Sequence, residues 1–144
     1  MPMPSYWKMQ GFGTYSYYQD VANANETGRY KYSFKVASQH KSKRIIVVFD
    51  AAMTETEVKI KGKSAGPVHQ GGFYQFKYDI IDLIQFDKVN LLEATVTKKS
   101  TTYSINRAER QADFWLLGGI FRPVQLEILP TTYIERVALD AKAF

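Results

Sequence analysis

Glu109 and Asp113, four residues apart, are the carboxylates whose spacing first invites a chemical reading. Hydrolysis of a glycosidic bond uses two carboxyl groups that face the sugar from either side, one as acid and one as base or nucleophile. The stretch around this pair has no regular hydrophobic period, so the spacing alone does not make the groups converge. A self-contained catalytic pair and two independently placed carboxylates both remain open. Other reactive side chains are scarce. His40 and His69 are the two histidines, too few for a histidine-rich metal site and poor material for an imidazole-based triad. The chain has no cysteine, which removes disulfides, thiolate zinc sites and cysteine nucleophiles together. Gly66-Pro67-Val68-His69-Gln70-Gly71-Gly72 lacks the Lys-Ser/Thr ending and strand-to-helix setting of a phosphate loop, so its glycines are expected at turns and close contacts.

The elements that must position these residues read as strands almost throughout. Arg29 to Val36 alternates polar with apolar, which puts Tyr30, Tyr32, Phe34 and Val36 on one face, expected to be core. Ile45 to Phe49 is a continuous β-rich run of the kind covered on both sides. Glu57 to Ile60 returns to alternation before a Lys61-Gly62-Lys63 turn, whose glycine can take positive φ. Phe73 to Tyr78, Leu92 to Val96 and Val124 to Ile128 complete the set, bounded by Gly, Pro, Asn or Asp. Asp79 to Ile84 is the one helical candidate, a single turn with an aspartate at its start accepting from free amides. Many short strands between turn signals predict an all-β fold, an antiparallel β-sandwich of the jelly-roll type.

Composition sets limits. Hydrophobic residues at 45% and aromatics at 15% require a packed core. Nineteen lysines and arginines against 14 acidic residues give a net charge of +5. The positive charges are scattered except at Lys41-Ser42-Lys43-Arg44 and Lys98-Lys99, which read as solvated turns, so no nucleic-acid partner is expected. No apolar run approaches the ~20 residues of a membrane helix, and no membrane span is expected. The stretch Met1 to Trp7 has no basic head and no apolar core, so no secretory signal is expected in it.

Two segments break the strand rhythm, Met9 to Gly28 and Lys98 to Gly119. The first is rich in tyrosine and amide side chains, which suit sugars: ring faces stack on C–H groups while amides and carboxylates bind hydroxyls. Tyrosines packed on their own sheet would look the same.

Trp7-Lys8-Met9-Gln10-Gly11-Phe12-Gly13, Asn25-Glu26-Thr27-Gly28-Arg29-Tyr30, Phe49-Asp50, Val58-Lys59-Ile60-Lys61-Gly62-Lys63, Gly66 to Phe73, and Gly118-Gly119-Ile120-Phe121-Arg122-Pro123-Val124 follow one another in a familiar order. The chain resembles the amino-terminal sugar-binding domain of family 2 glycoside hydrolases, in particular the β-galactosidase-like branch of the Bacteroides type. The resemblance implies a jelly-roll domain over residues 1–130. Residues 131–144 would be a linker and the first strand of an immunoglobulin-like domain missing from the chain. A (β/α)₈ barrel, also missing, would carry both catalytic glutamates. No catalytic residue is then expected here, and the fragment alone should be inactive.

By the same resemblance Asn25 and Asp113 are substrate-binding residues that reach the barrel mouth, and Asp113 is the metal-ligand candidate. No cofactor is expected in the fragment, with sodium or magnesium assigned to the parent. The expected partners are a carbohydrate, a terminal β-galactoside or related sugar, and the parent's other domains. The parent is expected to be periplasmic or exported. A structural salt bridge from Asp113 to Arg110 or Arg122 is the competing reading, Trp115 is expected in the core, and Arg122 is expected to pin a loop carboxylate. Glu26 departs from the family's proline, which bears on the loop beside Asn25. The alternative from another class is a free-standing carbohydrate-binding module.

Overall fold

The computed structural model describes residues 1–13, 26–111 and 117–142. The strands are β1 (Ser5–Tyr6), β2 (Thr27–Lys35), β3 (Arg44–Phe49), β4 (Glu55–Ile60), β5 (Lys63–Ser64), β6 (His69–Gln70), β7 (Phe76–Asp79), β8 (Val89–Thr97), β9 (Gly119–Ile120) and β10 (Val124–Leu129), with one helix, α1 (Tyr103–Arg110). All strand pairs are antiparallel. One sheet runs β10-β3-β7; the other runs β2-β8-β4-β5, with β6 also on β4; β1 and β9 form a small ribbon. The expected all-β sandwich is what the chain forms.

Alternation explains which faces meet. Ile45, Val47 and Phe49 of β3 oppose Val58 and Ile60 of β4 and Ala94 and Val96 of β8 in one core cluster. Phe49 also stacks on its cross-strand partner Phe76, with centroids 4.8 Å apart. Ile46 and Val48, on the other face of β3, are buried as well, so the continuous apolar run is covered on both sides. Tyr133 and Glu135 of the following segment reach this sheet. Arg44 donates to the Tyr133 hydroxyl at 3.0 Å, and Lys77 Nζ lies 2.6 Å from Glu135. Residues 131–142 form no strand.

Three local expectations are corrected. Tyr32 shares the inner face with Tyr30 and Phe34 but is 68% exposed, on β2 at the edge of its sheet. Asp79 to Ile84 makes a turn rather than a helix. Its aspartate does accept from the Ile81 amide at 3.2 Å, and the Leu83 amide closes on Ile80. The stretch after Lys98, read as irregular, contains α1. Its sequence offers no apolar period because its buried residues are the charged Glu109 and Arg110.

Candidate functional site

Thr27, Thr97 and Glu55 pair level with one another, so β2 begins where β8 ends and β4 begins. This end of the sandwich also receives Met53, bridged to Gly119, and the β1–β9 ribbon. The loops before β2, after β8 and around Met53, Gly71 and Gly118 therefore gather on one rim, while the Lys61-Gly62 turn lies at the opposite end of β4.

Trp7 is the post around which they close. Its indole is 5% exposed and lies between two glycines, and no side chain could replace either without displacing it. A Cβ on Gly28 would stand 2.8 Å from the ring, and one on Gly118 only 2.3 Å from it. Trp7 N–H donates to the Gly118 carbonyl at 3.1 Å, and its Nε1–H points to Glu26 Oε2 at 3.4 Å. The same carboxylate oxygen receives Lys98 Nζ at 3.2 Å and faces Lys8 Nζ at 3.6 Å. Burial, with Lys8 alongside, pulls Lys98 below the ordinary lysine range, while Glu26 pulls the other way. Lys98 is thus a core residue at 1% exposure, not part of a solvated turn as its sequence suggested.

A second carboxylate organises the approach to α1. Glu55 Oε2 accepts from Gln70 Nε2, the Ser100 hydroxyl, and both the amide and hydroxyl of Thr101, all within 3.0 Å. Burial works to raise its pKa, but these donors outweigh it and hold the group below its ordinary range. Asn106 then ties back to Ser100 through both its amide atoms, at 2.9 and 2.6 Å, which fixes the first turn of the helix.

The last turn of α1 acts as a clamp. Glu109 accepts from the Gly72 amide at 2.7 Å and so pins the loop before β7. It is buried and tethers that loop. Arg110, 3% exposed, donates from Nη2 to the Leu117 carbonyl at 3.1 Å. One guanidinium thereby joins the two ends of the segment 112–116. Its Nε and Nη1 have no hydrogen-bond partner among the described residues, and burial lowers its pKa to about 10. His69, stacked on Phe76 at 3.9 Å, is held below its ordinary pKa by burial, although its bond to the Gly71 carbonyl and nearby Glu109 oppose this.

Asn25, Asp113 and Trp115 lie outside the described residues. What is described are their flanks. Glu26 follows Asn25 directly, Gly118 closes the chain after Asp113, and both contact Trp7. Arg122 lies over the Phe121 ring at 5.7 Å and makes no ion pair among the described residues; Asp113, its candidate partner, lies outside them. No group of three metal-ligating side chains occurs among the described residues. No described helix is long and apolar enough to cross a membrane. A cleft of about 880 Å³ opens beside the rim between β2 and β10. Trp7, Glu26, Tyr30, Tyr32, Leu92 and Val124 are among its walls.

The class follows from this rim and its sandwich: residues 1–130 match the family described as glycosyl hydrolases family 2, sugar binding domain. The chain belongs to that family. It is 32% identical over 108 residues to a β-galactosidase of Thermoanaerobacter pseudethanolicus, covering 75% of this chain and 14% of that protein. It is 30% identical to a β-galactosidase of Vibrio cholerae, covering 98% of this chain and 15% of the relative. Among solved structures, a β-glucuronidase of Bacteroides uniformis superposes with a TM-score of 0.72 at 29% identity, over 90% of this chain and 14% of that one. The chain thus spans about a seventh of the length of these relatives.

Proposed function

We propose that this sugar-binding domain completes the substrate pocket of a larger retaining glycosidase, which acts on terminal β-linked sugars of the β-galactoside type. Asp113 and Asn25 hold the non-reducing sugar. A carboxylate accepts two charge-assisted hydrogen bonds from sugar hydroxyls or ligates a hard cation such as sodium or magnesium, and an amide both donates and accepts. The observation that carries the reading is the convergence on Trp7 of the chain after Asn25 and the chain after Asp113. Rigid anchorage of both flanks lowers the cost of holding two polar groups on one sugar, and that contribution is positional. The acid and the nucleophile belong to a barrel outside this chain, in a parent that we place in the periplasm or outside the cell. Residues 131–144 lead toward its immunoglobulin-like domain.

Two measurements on the isolated chain test this. It should not hydrolyse 4-nitrophenyl β-galactoside, and calorimetry with galactose should show no binding at millimolar concentration, since half the pocket lies elsewhere. The cleft of about 880 Å³ favours a second reading, a free-standing carbohydrate-binding module, because its walls include the rings of Tyr30 and Tyr32. Millimolar or tighter saccharide binding by the isolated chain would establish that alternative instead.

A further inference from the structure

The fold gathers at one end of the sandwich the positive charge that the sequence scatters. Lys35 ends β2, Lys61 and Lys63 flank the Gly62 turn after β4, Lys88 precedes β8, and Lys41 and Lys43 lie in the connection from β2 to β3. Lys35 pairs with Val89, and Ile60 pairs with both Leu92 and Lys63, so the first four lysines stand at neighbouring strand ends. The Asp87 amide donates to the Val36 carbonyl at 2.8 Å, which closes the β2–β3 connection onto the same end. That end lies opposite the rim. Lys43 is partly exposed and the other five lysines are exposed.

Few acids answer them. None of the six lysines forms an ion pair among the described residues. Asp82 and Asp87 are the acids of the connecting loops at this end, and Asp87 already accepts from the Ser38 amide at 2.9 Å. Lys41, whose charge is felt at Asp87, lies over the Phe86 ring at 6.0 Å. Glu93 is taken by Lys31 at 3.3 Å and by the Gly62 amide at 3.1 Å, and Asp79 by Arg44 at 3.0 Å. Six lysines against two loop acids make this pole the seat of most of the chain's net charge of +5.

We propose that this lysine pole docks the protein on a planar anionic surface, that of a phospholipid bilayer, with the rim turned away toward solvent. Ammonium groups on flexible stems are hydrated point charges that suit a diffuse negative surface, whereas the arginine at this end, Arg44, is engaged by Asp79 and Tyr133. Single-stranded nucleic acid takes exposed rings to stack on, and Phe86, under Lys41, is half-buried. The segment after β10 turns away from the pole. It starts beyond Leu129, which pairs with Arg44; its Tyr133 meets Arg44 and its Glu135 meets Lys77, a step back toward the rim. The attraction is the electrostatic one that polybasic surfaces feel at an anionic leaflet, and it needs no spanning element. It is independent of the sugar reading.

The test is co-sedimentation of the full-length parent with vesicles of two parts phosphatidylcholine to one part phosphatidylglycerol, with pure phosphatidylcholine vesicles as the uncharged arm. The expected result is binding to the anionic vesicles alone, lost when NaCl rises from about 0.1 to about 1 M and the Debye length falls from about 10 to about 3 Å. The triple variant Lys61→Gln, Lys63→Gln, Lys88→Gln should lower partitioning at least about tenfold, since each lysine that meets an anionic surface is worth about fivefold. Its thermal midpoint should stay put, because all three side chains are exposed. Arginine at the same three positions should keep the binding. Lys31→Gln, Lys59→Gln, Lys77→Gln, which removes the same charge outside the pole, should leave most of it. A wild-type enzyme that ignores the anionic vesicles, or an equal loss in the two glutamine triples, overturns the proposal. Binding of duplex DNA without binding of vesicles overturns it as well and assigns the pole to a chain-like polyanion.

Discussion

Glu26 Oε2 lies 3.2 Å from Lys98 Nζ, and this contact ties the start of β2 to the chain leaving β8. The backbone repeats the tie, as the Lys98 amide donates to the Glu26 carbonyl at 3.1 Å. With Lys8 on the same oxygen, one partly exposed carboxylate serves two buried ammonium groups. Glu26→Gln removes this anion from beside both lysines, so the chain should lose about 1–3 kcal/mol, the scale of a charge-assisted hydrogen bond removed from a largely buried group. Urea denaturation measures this, and adding Lys98→Met should recover part of the loss. A shift below about 1 kcal/mol would mean the lysines do not depend on Glu26.

Gly118 is required for a packing reason. A methyl group there would meet the Trp7 ring at 2.3 Å and Lys98 Cγ at 2.5 Å. Gly118→Ala should therefore cost about 1–3 kcal/mol or more by overpacking, read as a lowered midpoint in thermal unfolding. Gly62→Ala tests a different cost, since its Cβ would meet nothing within 4 Å and only its φ of +77° is strained. The smaller loss is expected there.

Glu55 predicts the acid side of the stability profile. Its folded pKa is depressed, so its contribution is fully present above the unfolded value near 4.5 and is lost as pH falls through the folded value. Glu55→Gln should flatten the fall in stability below about pH 4.5, followed by denaturant midpoints between pH 7 and 3. His69 acts in the same direction at higher pH. Its depressed folded value means stability is lost as pH falls below 6.5, and His69→Gln should remove that part of the slope. An unaltered slope in both variants would show that neither group is linked to folding.

Strand alternation made the sandwich legible before any coordinates, because period-2 patterns such as Arg29 to Val36 follow directly from pleat geometry. Edge effects were not legible. Tyr32 keeps the predicted parity yet stands in solvent, since parity says nothing about whether an opposing strand reaches that far. Helix α1 was hidden because Glu55 and Asn106 hold its start through polar bonds and its buried face is Glu109 and Arg110. The available signal was the run Ser104 to Arg110, free of Gly and Pro, with Ile105 and Ala108 at helical spacing among polar residues. Lys98 looked like a surface charge next to Lys99, and the tertiary position of Glu26 helps to account for its burial. Glu26 itself was visible as a departure from the family's proline, but its role depends on two lysines distant in sequence. The motif residues Trp7, Gly28 and Gly118 were legible as motifs, and their shared purpose emerges only from the glycine-to-indole distances.

The central claim is that this domain lends Asp113 to a sugar pocket whose reactive half lies in other parts of the parent. Its most direct test is steady-state kinetics of the full-length enzyme bearing Asp113→Ala, assayed on an aryl β-galactoside. A loss of at least about tenfold in kcat/KM is predicted, with thermal stability kept, as befits a charge-assisted contact to substrate. Unchanged kcat and KM would contradict the account.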